Sequence, residues 1–172
     1  MILIHTALLC EAQSFIEKYK LKKINSSPKV YANDIFIICI SGIGKENTLK
    51  SLDYIFNNYT ITKAINVGIA GCNNSKIPIG NLYSTNKKLQ DIETLPLVTS
   101  DEIVTNSDLE ETTLYDMEAE YFYHITQKYL DTKEIFIFKI VSDHLSSKIL
   151  GKDIIKNMIS KQRELFKFIK LI

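Results

Sequence analysis

The chain has 172 residues and carries 21 lysines and arginines against 20 aspartates and glutamates. Because these charges nearly cancel and no long basic block is present, the composition argues against a nucleic-acid partner and against an electrostatic membrane anchor. The length suits one domain, which we expect to span residues 1–172. The apolar start of the chain is short and has no preceding positive residues, which predicts a cytoplasmic protein without a membrane partner.

A buried strand is predicted first, and an acidic residue follows it closely. Residues 1–9 form a nearly continuous apolar run, Glu11 comes next, and residues 12–19 show the spacing of an amphipathic helix. Glu11 is therefore expected just after the end of a buried strand.

A hairpin and a glycine turn follow. Residues 29–32 and 35–40 predict two antiparallel arms, the second of them a central strand. The glycine turn Ser41-Gly42-Ile43-Gly44-Lys45 leads into a helix predicted over residues 45–59. Such a turn is explained by a close strand-to-helix connection or by an anion site at the helix start, and the spacing alone favours the former.

Small residues follow the next buried strand. Residues 63–67 predict this strand, and Gly68-Ile69-Ala70-Gly71 would allow a ligand to approach the backbone at its carboxyl end. Residues 82–85 and 95–99 are predicted as further strands.

Two acidic residues lie at the ends of the last two predicted strands. Residues 112–115 predict a strand, 119–129 a helix and 134–141 a second strand. We interpret this pattern as a β-α-β unit with parallel strands, which would bring Glu118 and Asp143 to the same edge of the sheet. Two carboxylates at such an edge suggest chemistry.

A structural role would also explain why acidic residues stand at these positions. Asp116 and Glu118 could cap the following helix and favour its positive end, and Asp143 could open a turn. Taken one at a time, these acids are better explained by structure than by catalysis.

The final segment completes the fold prediction. Residues 149–172 predict one amphipathic helix that covers a sheet face. The alternation of strands and helices predicts a three-layer α/β/α domain with a central mixed, mostly parallel sheet.

Six of these segments occur together in a familiar order: 7–11, 41–45, 66–71 with Ile79-Gly80 beyond, 98–104, Asp116-Met117-Glu118, and Val141-Ser142-Asp143. In this the chain resembles the nucleoside phosphorylase and nucleosidase family, and most resembles the 5′-methylthioadenosine/S-adenosylhomocysteine nucleosidases, in a shortened form. The resemblance implies a nucleoside phosphorylase-like fold and hydrolysis of the N-glycosidic bond of a purine nucleoside or 5′-substituted nucleoside. It also implies a small-molecule nucleoside as partner and a homodimer. We expect no cofactor and no metal.

The resemblance assigns a role to each acid. Asp143 would donate a proton to the leaving purine, Glu118 would grip the ribose hydroxyls and favour the developing positive charge, and Glu11 would orient or deprotonate the attacking water. The substrate-binding positions that it implies are Gly68, Ile69, Ile103, Val104, Met117 and Glu118.

The chain also departs from the pattern of this family. Only eleven residues, 86–96, lie between Thr85 and Leu97, where the family carries a long excursion, so the site should be more open or be closed by a partner. Ile103 stands where an aromatic residue stacks on the base. These departures keep open a non-catalytic nucleoside-binding member of the fold.

The scarcity of arginine bears on the choice between water and phosphate. A guanidinium fork matches phosphate oxygens, yet the only arginine, Arg163, lies in the terminal helical segment. Hydrolysis is therefore favoured over a phosphorolytic nucleoside phosphorylase, with Lys45 left as a possible phosphate ligand. Of the histidines, His5 is expected to be a hydrogen-bonded core residue, whereas His144 could line the site.

Overall fold

The computed structural model describes residues 1–148 and 150–172. Within these residues, the strands of the sheet are β1 (Ile2–Thr6), β2 (Lys22–Ser26), β3 (Lys29–Ala32), β4 (Phe36–Ile40), β5 (Lys63–Cys72), β6 (Leu82–Ser84), β7 (Leu97–Thr99), β8 (Leu114–Asp116) and β9 (Ile135–Asp143). The helices are α1 (Leu9–Lys18), α2 (Lys45–Asn58), α3 (Ala119–Thr126), α4 (Lys152–Ser160) and α5 (Arg163–Leu171). In the part of the chain so described, no helix is both long enough and apolar enough to cross a membrane.

The strands form one mixed sheet with a parallel centre. Strands β4, β1, β5 and β9 lie side by side in that order and run parallel. The predicted hairpin is present as β3 and β4, and β2 extends the sheet beyond it. Strand β6 pairs with β9, and β7 joins through β8, so the predicted mixed sheet between helices is confirmed.

The core lies on both faces of this sheet. Successive side chains of a strand point to opposite faces, so Ile4 packs with Phe15 and Leu165 under α1, α4 and α5, whereas Leu3 packs with Leu52 under α2 and α3. Each fully buried side chain of this kind contributes roughly 1.5–3 kcal/mol relative to exposure. The two layers fix the ends of the central strands, where the site lies.

The prediction that the strands flanking α3 run parallel is wrong. Strand β5 continues past β1, because His5 at the end of the β1–β5 ladder pairs with Asn66 while β5 extends to Cys72. The projecting part of β5 has a free edge, and β8 pairs with it in antiparallel register, with Tyr115 opposite Gly71. Strand β8 therefore runs back toward the carboxyl end of β1 and still carries Glu118 there.

The predicted terminal helix is two helices. Helix α4 ends at Ser160 and α5 begins at Arg163. At the break, the side-chain amide of Gln162 donates to the carbonyls of Gly80 and Met158, both at 2.9 Å. The predicted start of this segment, Ile149, lies outside the described residues. Both helices pack on one sheet face, as expected.

Strand β2 was not predicted from the sequence. It lies at the edge of the sheet, and its side chains are largely exposed, so it lacks the apolar alternation that predicts a strand. Its lysines, Lys22 and Lys23, are typical of edge strands that avoid pairing with other chains.

Candidate active site

A cavity of about 220 Å³ lies at the carboxyl ends of β1 and β5, beside the ends of β8 and β9. The sequence predicts eight site residues, and all of them except Gly68 line this cavity: Glu11, Ile69, Ile103, Val104, Met117, Glu118 and Asp143. The three predicted catalytic carboxylates are thus brought to one place, although β8 reaches it in the opposite direction from that predicted.

Glu11 is held in the first turn of α1. Its Oε2 accepts hydrogen bonds from the N–H groups of Ala7, at 3.1 Å, and Leu8, at 2.8 Å. Its Oε1 accepts from Ile69 N–H at 3.0 Å, so the carboxylate ties α1 to β5. The side chain is almost fully buried, and burial raises the pKa of Glu11 although these N–H groups oppose the shift.

Glu118 is held by the glycine turn. Gly44 N–H donates to Glu118 Oε1 at 2.8 Å. Gly44 has a φ of 86°, in the left-handed region that favours glycine, and it is the N-cap of α2. The turn therefore presents its N–H to a carboxylate of the protein at the positive end of a helix. Burial raises the pKa of Glu118 to about 7, against the lowering effect of Lys139.

Lys45, the possible phosphate ligand beside this turn, does not line the cavity. Its ammonium lies 5.3 Å from the centre of the Tyr121 ring, and the residue is exposed. A cation–π contact at the surface accounts for this position.

Asp143 is half-buried at the end of β9. Ser142 Oγ lies 2.6 Å from its Oδ2, and Ser146 N–H donates to its Oδ1 at 2.8 Å. A Cβ at Gly71 would come within 3.3 Å of Asp143 Oδ1 and 3.1 Å of Leu145 Cδ2, so the glycine leaves room for the acid. These contacts fix the carboxyl group while leaving it at the cavity wall.

Gly68 lies behind the wall. It is buried, and a Cβ built on it would be 3.0 Å from Glu11 Oε1 and 3.2 Å from Lys139 Nζ. The position gives room to two charged side chains. Its contact with a substrate stays a prediction.

Sequence reasoning missed Lys139 and its ion pair with Asp116. Lys139 Nζ lies 2.7 Å from Asp116 Oδ2, and the two side chains are 2% and 1% exposed. Asp116 also accepts from Ala119 N–H at 2.9 Å, so its predicted helix-capping role is present as well, whereas the Glu118 side chain does not cap α3. The available signal was a lone lysine inside the apolar strand that ends at Asp143.

The histidines lie outside the cavity wall. His5 is buried, with its Nδ1 2.9 Å from Asn66 Nδ2, as expected for a core residue. Burial lowers the pKa of His5 to about 3, so it is neutral. His144 is exposed, and its Nε2 lies 2.8 Å from Ile77 O. His144 is therefore not among the residues that line the cavity, although the sequence left that position open to it.

The mouth of the cavity is apolar and open. Ile103 is 60% exposed and Ile43 is 51% exposed, although both line the cavity. The short segment 86–96 folds back on β6, where Ser84 N–H donates to Glu93 O and Leu95 N–H donates to Ser84 O. It contributes no residue to the cavity wall.

The parallel centre, the added antiparallel strands and the acid-lined cavity at the carboxyl ends define a nucleoside phosphorylase-like fold. No family model matches the sequence, and no curated protein matches it.

Solved structures share this fold over almost the whole chain. An aspartate-to-asparagine mutant of Helicobacter pylori 5′-methylthioadenosine/S-adenosylhomocysteine nucleosidase, with 5′-methylthioadenosine in its active site, has 11% identity and a TM-score of 0.81, covering 99% of this chain and 98% of that chain. Futalosine hydrolase of the same organism has 12% identity and a TM-score of 0.81, with 99% and 97% covered.

A third structure is the 5′-methylthioadenosine/S-adenosylhomocysteine nucleosidase of Neisseria meningitidis in complex with methylthio-immucillin-A. It has 16% identity and a TM-score of 0.73, covering 93% of this chain and 91% of that chain. At these identities the likeness establishes the fold.

Proposed function

We propose that residues 1–172 form one nucleoside phosphorylase-like domain that hydrolyses the N-glycosidic bond of a purine nucleoside or 5′-substituted nucleoside. The products are the free base and the sugar. The observation that carries this proposal is the meeting of Glu11, Glu118 and Asp143 at one cavity. The fold is shared with enzymes named for nucleoside hydrolysis, which supports it further.

Asp143 is the proposed acid. A purine leaves as an anion unless it is protonated, so a carboxylic acid beside the base lowers the barrier. The Asp143 carboxyl group is fixed by Ser142 and by the N–H of Ser146 yet remains at the cavity wall. It is thus placed to give a proton to a bound base.

Glu118 and Glu11 are proposed to act on the sugar and on water. An oxocarbenium-like transition state places positive charge on the ribose, which a carboxylate at Glu118 would stabilise. Glu11 has its oxygens fixed by three N–H groups, and its raised pKa suits a group that accepts a proton from water.

The remaining wall would bind the substrate. Met117 is half-buried beside Glu118, where its flexible side chain can pack on a ribose. Ile69 and the backbone of Gly68 would lie against the sugar, and Ile103 with Val104 would cover the base. Ile103 can cover a base by apolar contact but cannot stack on it.

Charge at the site supports water as the attacking group. Lys139 is paired with Asp116, Arg163 begins α5 outside the cavity, and Lys45 lies over Tyr121. Among the described residues, Lys148 supplies a cation to the wall, and it is exposed. A doubly charged phosphate would meet Glu11, Glu118 and Asp143 without an arginine fork, which disfavours phosphorolysis.

We also propose that the protein is a cytoplasmic homodimer. The exposed Ile43 and Ile103 leave apolar surface at the cavity mouth that a second copy could cover. Light scattering at micromolar concentration would show a dimer, and a monomer would contradict this part of the proposal.

The test is a panel of nucleosides. Purified protein is incubated with adenosine, inosine, 5′-methylthioadenosine and S-adenosylhomocysteine, and the free base is separated by chromatography. Release of base by the wild type, and its loss in Asp143→Asn, would support the proposal. Saturable binding of a nucleoside with no base released would instead favour the non-catalytic binding protein.

A further inference from the structure

A buried cation lies beside the cavity. Lys139 stands on β9 opposite Gly68 of β5, and its side chain is 2% exposed. Removing an ammonium from water is costly, and an apolar side chain of similar length would avoid that cost. Packing alone therefore does not explain a lysine at this position.

Asp116 fixes the ammonium. Its Oδ2 lies 2.7 Å from Lys139 Nζ and accepts from Ala119 N–H at 2.9 Å. Its Oδ1 accepts from Thr99 Oγ–H at 2.6 Å. The carboxylate thus joins β9 to β7 and to the start of α3, two residues away from Glu118.

The backbone of β5 at Gly68 lies close to both Lys139 and Glu11. A Cβ at Gly68 would lie 3.0 Å from Glu11 Oε1 and 3.2 Å from Lys139 Nζ. Both charged groups therefore approach the same point of the strand, and a side chain at this position would press on both.

We propose that Lys139 and Asp116 are positioning residues of the hydrolytic site, in which this buried ion pair, between the start of α3 and the strand position that Glu11 also approaches, holds the carboxylates of Glu11 and Glu118 in place. This inference rests on the proposed function. It assigns a role to two residues that do not themselves contact the reacting atoms.

The charges around Lys139 agree with this role. The titratable groups facing it are Glu11 from α1, Asp116 from β8, Glu118 at the start of α3 and the neutral His5 from β1. Burial alone would lower the pKa of Lys139, but the three carboxylates together raise it. In return, Lys139 lowers the pKa of Glu11 and of Glu118 against the raising effect of burial.

The main test is a variant that removes both charges of the pair. Lys139→Met with Asp116→Asn avoids leaving either member of the ion pair buried without the other, and the amide of Asn can still accept from Ala119 N–H while donating to Thr99 Oγ. We expect this double variant to fold and to lose about 100-fold in kcat, since small misplacements of acting groups cost this much. Lys63→Met with Glu134→Gln removes an ion pair away from the cavity and is the matched control.

The pH dependence separates positioning from stability. Removing Lys139 raises the pKa of Glu11 and Glu118, and for Glu118 the effect of Lys139 exceeds the opposing effect of Asp116. The acid limb of the pH–rate profile should therefore move to higher pH in the double variant. The control pair should leave the profile where it is in the wild type.

A second variant does not remove any charge. Gly68→Ala adds a methyl group that presses on Glu11 and Lys139, so we expect a fall of roughly tenfold in kcat. Gly151→Ala is its control, because among the described residues a Cβ there meets only Ile154, at 3.9 Å, and φ is −64°. Wild-type kcat and pH profile in both the folded double variant and Gly68→Ala would overturn the inference.

A readout without catalysis separates this inference from the proposed function. Carbon-13 NMR of glutamate carboxyl groups, assigned with Glu11→Gln and Glu118→Gln, follows their titration directly. We expect both midpoints to rise in the double variant, and unmoved midpoints would overturn the inference. Absence of turnover in the wild type would contradict the proposed function alone, because the titration still reports the effect of Lys139.

Discussion

The floor and the mouth of the cavity are built on opposite principles. At the floor, Glu11, Asp116 and Glu118 are buried. Backbone N–H groups donate to Glu11 and Glu118, and Asp116 contacts a hydroxyl group and Lys139. At the mouth, Ile43 and Ile103 are more than half exposed. The floor is organised before any ligand arrives, as chemistry requires, whereas the mouth can change with little cost to the fold.

The sharpest expected contrast between the two regions comes from Asp143→Asn. The amide keeps the shape of the carboxyl group but cannot deliver its proton, so we expect kcat to fall by roughly 10²–10⁴-fold with the fold intact. Steady-state kinetics with a substrate from the panel, together with a thermal melt, checks this. Unchanged turnover would assign the acid to another residue.

The floor should also be sensitive in stability. Lys139→Met leaves Asp116 buried and unpaired, for which we expect a loss of about 3–5 kcal/mol in the free energy of unfolding. The ion pair of Lys63 and Glu134, at 3.2 Å with side chains 20% and 30% exposed, gives the control. Water still reaches Glu134, so Lys63→Met should cost only about 0–1 kcal/mol. Urea denaturation of both variants measures the two losses in the free energy of unfolding. Equal losses would contradict the claim that the buried ion pair matters more for stability than the more exposed one.

How far the sequence predicts these regions depends on the kind of signal each residue leaves. Glu11, Glu118 and Asp143 follow apolar strands, and this pattern is enough to predict that acids meet at a sheet edge. The reversed direction of β8 leaves no local trace, because it depends on how far β5 projects beyond β1.

The helices and the buried pair show the same limit. The division between α4 and α5 depends on the contact of Gln162 with Gly80, which is distant in sequence. Lys139 could be recognised only as an anomaly, since its partner comes from another strand. The sequence therefore predicts most of the elements and the place of the acids, but not β2, the break between α4 and α5, or the contacts around the acids.

Glu118→Gln should show how the buried charge at the floor makes stability depend on pH. The pKa of Glu118 is raised from 4.5 to about 7 on folding, so its burial favours the protonated form and becomes unfavourable as pH rises through this window. Glutamine is neutral throughout. The stability of Glu118→Gln relative to the wild type should thus increase by about 3 kcal/mol between pH 4 and pH 8, measured by denaturation at each pH.

A constant difference across this pH range would contradict the raised pKa of Glu118. An exposed glutamate of the same helix, Glu120, provides the control. The substitution Glu120→Gln should leave the pH dependence of stability close to that of the wild type.

The smallest effect is expected at the mouth. Ile103→Phe supplies an aromatic ring where the base is proposed to lie, and stacking is worth about 0.5–1.5 kcal/mol, or roughly two- to tenfold in KM. Ile103 is 60% exposed, so the fold should tolerate the change. A large change in kcat would show that the mouth takes part in the chemistry and would break the contrast.

The most direct test of the account is the identity of the sugar product. A nucleoside cleaved by the wild type is incubated in phosphate-free buffer and in buffer with inorganic phosphate, and the sugar is analysed by mass spectrometry. The absence of an arginine fork from the described cavity predicts free ribose, or its 5′-substituted form, at a rate that does not depend on phosphate. A ribose 1-phosphate product formed only with phosphate would contradict hydrolysis.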